Sequence, residues 1–164
     1  MGVKIWGIEV YSIYAPHGDL RGLEKYYYKL KWYKAFIEFI KSRRLPVVLA
    51  GDFNIAPEDI DVYNPEILCD TIGTMAEEIE QIKNLVSIGF IDTFRHLHPD
   101  SKMFSWWDYT GGDVWKDHGM RIDYIFCSHS LRDSIKGSTI DTWPRKRKTP
   151  ILSDHTPVIT DFVI

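Results

Sequence analysis

The spacing of apolar and polar positions changes period several times along this chain, and those changes divide it into elements. Between Val3 and Tyr14 the apolar residues Val3, Ile5, Ile8, Val10 and Ile13 carry a β-branched bias. This predicts one long strand, or two strands in a hairpin with Trp6-Gly7 as the turn. Tyr14-Ala15-Pro16-His17-Gly18-Asp19 then reads as a loop. From about Gly22 to Arg43 the period becomes helical. Leu23, Tyr27, Leu30, Ile37 and Ile40 recur on one face, with Lys25, Lys29, Lys31 and Lys41 largely off it. Further aromatics (Tyr26, Tyr28, Trp32, Tyr33, Phe36, Phe39) widen that surface, so the helix is expected to cover a broad sheet, and Pro46 fixes its end.

The next run, Val47 to Ala50, is short and wholly apolar, the pattern of a strand buried on both faces. It stops at Gly51, and Asp52 and Asn54 follow two residues apart. Alternate residues of an extended segment share a side. Asp52 and Asn54 are therefore expected to face one cleft while Phe53 turns back into the core. Residues 55–74 are turn-rich and suggest an active-site loop with little regular structure. A second amphipathic helix spans Met75 to Ile88, with Ile79, Ile82, Leu85 and Val86 inward and Gly89 as C-cap. Phe90 to Arg95 starts a turn or short helix. Strands are predicted at Phe104–Tyr109, Met120–Ser128, Ser138–Trp143 and Pro157–Val163, with a short helix at Ser130–Ile135 and a basic loop at Pro144–Lys148. Strands outnumber helices and are joined irregularly, which favours a layered α/β or sandwich arrangement over a strictly parallel sheet.

Composition narrows this picture. A chain of 164 residues with 45% hydrophobic content is one domain, or a large piece of one. A formal charge of −3 argues against wholesale electrostatic binding to nucleic acid while leaving room for a local basic patch. The two cysteines, Cys69 and Cys127, have no disulfide-framework or zinc spacing and read as buried reduced thiols of an intracellular protein. The first ten residues are broken by charge too early for a secretory segment, and no apolar run approaches membrane-spanning length.

Five polar spots fall at expected strand ends or in the loops beyond them, where an α/β scaffold exposes reactive groups: Tyr14, Asp52 with Asn54, Trp106-Trp107, Asp123, and Asp154 with His155. Each also has a structural explanation. Gly-Asp-Phe-Asn serves as a turn with a capping Asp, and Tyr14 as an edge aromatic. Asp123 suits a same-face ion pair with Arg121, Trp106-Trp107 a core, and Ser153-Asp154-His155 a plain turn. Against these, a carboxylate can orient a water or a hard cation, and an amide can donate to an anionic oxygen. Phosphate-ester hydrolysis needs both.

Taken together, Tyr14-Ala15-Pro16, Gly51-Asp52-Phe53-Asn54, Phe104-Ser105-Trp106-Trp107-Asp108-Tyr109, Arg121-Ile122-Asp123-Tyr124 and Ser153-Asp154-His155-Thr156-Pro157-Val158 stand in the order of a known pattern. The chain resembles the exonuclease III and apurinic/apyrimidinic endonuclease branch of the endonuclease/exonuclease/phosphatase superfamily, from about Val10 to its last residue. The resemblance implies a single domain over residues 1–164, a four-layer α/β sandwich that is N-terminally incomplete and makes up the last two-thirds of the usual fold. It implies Mg²⁺- or Mn²⁺-dependent hydrolysis of a DNA phosphodiester, as an abasic-site endonuclease, a 3′-5′ exonuclease or both, in the cytoplasm and at the nucleoid. Asp52 would orient or deprotonate the attacking water, Asn54 and Tyr14 would reach phosphate oxygens, and His155, fixed by Asp123, would assist the developing charge. Asp52, Asn54, Asp154 and His155 form the implied metal-binding set. Trp106, Met120 and Ile122 form the implied apolar pocket for an abasic deoxyribose, with His17, Arg145 and Lys146 as further substrate contacts.

Two departures qualify the likeness. The family carries a Glu metal ligand on a segment before the strand of Tyr14, and the only early acidic residues here, Glu9 and Asp19, do not match it. His17 stands where the family commonly has Asn or Gln. DNA is the expected partner, with a second copy or a separate N-terminal segment completing the sheet, and no membrane. Two alternatives belong beside this: a phosphatase of the same superfamily acting on a lipid or small molecule, and a DNA-binding or assembly module without catalysis.

Overall fold

A computed structural model describes residues 1–147 and 153–164. The chain starts as a hairpin of β1 (Gly2–Ile5) and β2 (Ile8–Tyr14), turned at Trp6-Gly7, both in the positive-φ region (49° and 80°) that a tight two-residue turn requires. α1 (Glu24–Lys41) then crosses over to β3 (Val47–Asp52), which runs parallel to β2. Next come a 3₁₀ turn at Asp59–Asp61, the short α2 (Pro65–Leu68), α3 (Ala76–Ser87), β4 (Phe90–Asp92) and α4 (Thr93–Leu97). The second half holds α5 (Asp113–Lys116), β5 (Asp123–Ser128), a 3₁₀ segment at His129–Ser134, β6 (Ile135–Ile140) and β7 (Val158–Phe162). None of the helices among the described residues is long and apolar enough to cross a membrane.

The strands make a five-stranded mixed sheet, β1-β2-β3-β5-β4, and a two-stranded sheet, β6-β7. One face of the large sheet packs under α1 and α3 through Tyr33, Ile40, Ile82 and Leu85 against Val47, Leu49, Tyr124 and Phe126. The other face packs on the small sheet through Ile8, Val48 and Cys127 against Ile135 and Phe162. Helices, large sheet and small sheet are thus three stacked layers among the described residues. Each fully buried Leu or Phe between them contributes about 1.5–3 kcal/mol. β2 and β3 approach so closely at Gly51 (φ 142°) that a Cβ there would lie 2.0 Å from the Ile13 carbonyl oxygen.

Several expectations need correction. The buried stripe of α1 is Tyr26, Lys29, Tyr33, Ile37 and Ile40; Leu23 and Tyr27 are exposed, and Lys29, expected in solvent, is fully buried. Glu78, its partner from α3, explains the difference. Val86 is exposed rather than inward, and so is Cys69. Phe104–Tyr109 is not a strand: Trp106 makes only isolated bridges, to Met120 and to His155. β5 begins at Asp123 rather than Met120, and β6 ends at Ile140 rather than Trp143. Residues 55–74 contain the 3₁₀ turn and α2. Arg121 does not pair with Asp123. It binds Asp61 (2.7 Å) and Asp92 (2.6 Å) in a buried network that ties the loop after β3 to β4. Lys148 of the basic loop and Leu152 lie outside the described residues.

Candidate active site

The register of the large sheet sets the site. Tyr14 of β2 pairs with Asp52 of β3, and Asp52 pairs with Asp123 of β5, so three strands present one row at their common end. Asn54 follows with φ 52°, a left-handed conformation that Asn tolerates better than most residues. This turn lets its backbone N–H donate to Asp52 Oδ1 (2.8 Å) and its carboxamide donate to Asp52 Oδ2 (2.9 Å) and the Ala15 carbonyl (2.9 Å). Phe53 between them is fully buried.

Asp123 is placed by Ser105, whose hydroxyl oxygen accepts the backbone N–H groups of Ile122 and Asp123, both at 3.0 Å. Its carboxylate meets His155 Nδ1 at 2.8 Å, leaving Nε2 as the other ring nitrogen available to a ligand. The Trp106 indole donates to Asp154 Oδ2 (3.0 Å), and the Trp107 backbone donates to the Asp154 carbonyl (3.1 Å). The Ser105-Trp106-Trp107 segment therefore clips the Met120–Asp123 and Asp154–Thr156 segments together. Trp107 itself is core, while Trp106 faces the site.

These residues converge on a cavity of about 450 Å³ lined by Tyr14, His17, Asp52, Asn54, Trp106, Met120, Ile122, Asp154 and His155, with Ile72 and Gly73. Ten of the twelve candidate residues are thus accounted for: nine line it, and Asp123 stands directly behind His155. Arg145 and Lys146 are not among its lining. Arg145 is buried, donating to the carbonyls of Trp107 (3.1 Å) and Asp108 (3.0 Å), and Lys146 is 3.7 Å from Asp117. Arg145 is a strut of the loop, so a phosphate contact does not follow from its position. Tyr14 is 74% exposed, with its hydroxyl open to a ligand.

Electrostatics follow from the packing. Burial, reinforced by the Asp123 charge and opposed by Asn54 and His155, pushes the Asp52 carboxyl up to about 6. For His155, burial favours the neutral ring, but the Asp123 hydrogen bond and charge, with Asp52 and Asp154, outweigh it and hold its pKa above the usual imidazole value. As to metal, two carboxylates, Asp52 and Asp154, border the cavity, and no cluster of three His, Cys, Asp or Glu side chains forms a metal cage among the described residues. Carboxylate oxygens are the donor type that hard divalent cations take.

A model of the Endonuclease/Exonuclease/phosphatase family matches residues 15–155. The chain belongs to this family. It is 35% identical over 152 residues to an exodeoxyribonuclease of Bacillus subtilis, covering 91% of this chain and 58% of that one. It is 32% identical to a DNA-(apurinic or apyrimidinic site) endonuclease of Dictyostelium discoideum, covering 91% and 41%. Among solved structures, a 3′ phosphatase from Neisseria bound to a product DNA hairpin superimposes with a TM-score of 0.93 at 32% identity, covering 99% of this chain and 64% of that one. An AP endonuclease from Archaeoglobus fulgidus gives 0.92 at 30%, with the same coverage. The chain thus spans about half the length of these curated relatives and under two thirds of these solved ones.

Sequence reasoning missed the residues that support this family site from behind: Ser105, Lys29, Glu78, Tyr33 and Tyr124. The signal for Lys29 was present. Positions 26, 29, 33, 37 and 40 follow helical spacing as well as Leu23, Tyr27, Leu30, Ile37 and Ile40 do, and only the lysine's charge argues against burying that face.

Proposed function

We propose that this chain carries the catalytic site of a divalent-metal-dependent phosphodiesterase acting on DNA, at an abasic site or a 3′ end. The observation that carries it is the single cavity in which Asp52, Asn54 and the His155–Asp123 pair face an apolar wall of Trp106, Met120 and Ile122. In this reading Asp52 takes the proton of an attacking water whose oxygen bonds to phosphorus. The P–O3′ bond breaks, and the leaving oxygen takes a proton from solvent water to become a 3′-hydroxyl. A base with a pKa near 6 is ionised at neutral pH yet still attracts that proton. Tyr14 donates to a nonbridging oxygen, and Asn54, whose N–H groups are committed to Asp52 and the Ala15 carbonyl, holds the Asp52 carboxylate in place. His155, whose charged form Asp123 favours, offsets charge that builds in the transition state. The apolar wall would accept a deoxyribose without a base. Metal dependence is general in the family; here Asp52 and Asp154, with the Asn54 carboxamide oxygen, would hold Mg²⁺ or Mn²⁺, which would supply charge neutralisation at the phosphate.

DNA is the partner this reading requires. The Neisseria relative is described as a 3′ phosphatase, so 3′-phosphorylated ends belong in the test beside an abasic duplex. With Mg²⁺ or Mn²⁺ titrated in, the parent is expected to nick the abasic strand. Asp52→Asn and His155→Ala should each lower turnover by at least about 100-fold, with duplex binding within about threefold. Parental turnover in either variant would sink the assignment. Binding without turnover at any metal concentration would point to a module that holds DNA, and release of phosphate from lipids alone would move the substrate elsewhere in the family. A further polypeptide partner, a second copy or a separate segment, suits the open edge of β1, where Val3, Ile5 and Trp6 are exposed.

A further inference from the structure

Lys29 and Glu78 form a 2.6 Å ion pair in which neither side chain has any solvent exposure. Burying two charges is a poor way to gain stability, since desolvation offsets most of their attraction. What the pair does supply is direction. The Lys29 ammonium spends its three donors on Glu78 Oε1 (2.6 Å), the Asn54 carbonyl (2.7 Å) and the His17 carbonyl (3.0 Å). The other Glu78 oxygen accepts the N–H groups of Gly73 (2.6 Å) and Met75 (3.3 Å). His17, Asn54 and Gly73 come from three separate loops, and all three line the cavity.

Asn54 is held with particular care. Its carbonyl goes to Lys29, the Phe53 carbonyl before it accepts from the Tyr33 hydroxyl, and the Ile55 carbonyl after it shares the Tyr124 hydroxyl (2.9 Å) with the Arg121 carbonyl (2.6 Å). Three successive carbonyls are thus gripped by buried side chains while the Asn54 carboxamide is turned to Asp52. An apolar pair of the same volume in place of Lys29 and Glu78 would fill the space but leave the His17 and Asn54 carbonyls and the Gly73 N–H without these partners.

We propose that the Lys29–Glu78 pair is the positioning device of the site, locking the loops of His17, Asn54 and Gly73 to one another so that Asn54 and Asp52 keep a fixed relation to a bound phosphate. Its kinetic consequence rests on the phosphodiesterase reading; its structural consequence does not. The two are tested together in the full chain with Lys29→Met, which keeps length and loses every donor, and Glu78→Gln, whose amide can serve Lys29 or Gly73 as an acceptor through one oxygen only. Both are expected to unfold cooperatively and to bind an abasic duplex within about threefold of the parent. Turnover should fall about 10–100-fold, the usual effect of removing an orienting partner behind a reactive group. Lys29→Arg, which keeps the charge, should recover part of it. Amide exchange at Gly73 should speed up at least about tenfold in Lys29→Met and Glu78→Gln, while amides of β5 keep the parental rate.

Parental turnover together with parental Gly73 exchange would overturn the proposal. So would faster exchange throughout the molecule, or failure of both variants to fold, because the pair would then serve the whole fold rather than the site. If the parent itself cuts no DNA, the phosphodiesterase reading falls, and Gly73 exchange alone decides the role of the pair.

Discussion

Asp52 is where the proposed chemistry and the stability of this molecule conflict. Its carboxyl, near 3.8 when free, is pushed up to about 6 by burial and by Asp123. The folded state therefore binds a proton between roughly pH 4 and 6 that the unfolded chain has released, and stability falls as pH rises through that window. The cost is greatest above pH 6, where the carboxyl is ionised and, in the proposed reaction, acts as the base. Asp52→Asn removes it. In EDTA-treated protein the variant is expected to be more stable than the parent by about 1–2 kcal/mol at pH 8, solvent screening at this partly exposed carboxyl keeping the gain modest. The gain should disappear by pH 4, as read from urea midpoints. A variant less stable than the parent at pH 8 would show that the hydrogen bonds from Asn54 outweigh the desolvation. The residues that line the cavity were legible because their types and order mark them out. Those that hold them were not, since Lys29 acquires its meaning only from Glu78, 49 positions away, and from the carbonyls of two loops.

At the scale of elements, β2 and β3 are the pair that the site depends on, because their register sets Tyr14 beside Asp52. Two glycines separate local from tertiary demands. Gly7 turns the β1–β2 hairpin at φ 80° with nothing within 4 Å of a Cβ, so Gly7→Ala should cost only the left-handed backbone penalty, about 1–2 kcal/mol. Gly51 combines φ 142° with a carbonyl 2.0 Å from the same position, so Gly51→Ala must part the two strands. It should cost more than about 3 kcal/mol and lower activity with it. Equal urea midpoints for the two variants would mean the strands separate easily at that point. The hairpin, both long helices and the central strand were readable from periodicity. The segment Phe104–Tyr109 was not, because its aromatic alternation mimics a strand while its backbone hydrogen bonds are divided between Met120, Asp154 and Thr156.

The whole molecule has one face unlike the rest. The small sheet covers Ile8, Val48 and Cys127 of the large one. Register places Val3 opposite Val10 and Ile5 opposite Ile8, on the same face and beyond the cover, where Val3 is 54% and Ile5 44% exposed. Trp6 at the adjoining turn is 85% exposed. β1 is also an edge strand whose outer backbone groups face away from the sheet, with Lys4 as its one charge. Edges of this kind recruit further strands unless guarded. Two copies placed antiparallel about a two-fold axis would pair β1 with β1 and set the Val3 and Ile5 side chains of each against the other, a self-complementary contact. Sedimentation velocity is expected to show mass rising with protein concentration in the micromolar range. Val3→Lys with Ile5→Lys should hold the chain monomeric while leaving the unfolding midpoint nearly unchanged, because neither side chain supports the core. A parent that stays monomeric throughout would exclude a second copy as the occupant of this edge. The row of Tyr14, Asp52 and Asp123 would be unaffected, since it lies on strands already paired within one chain.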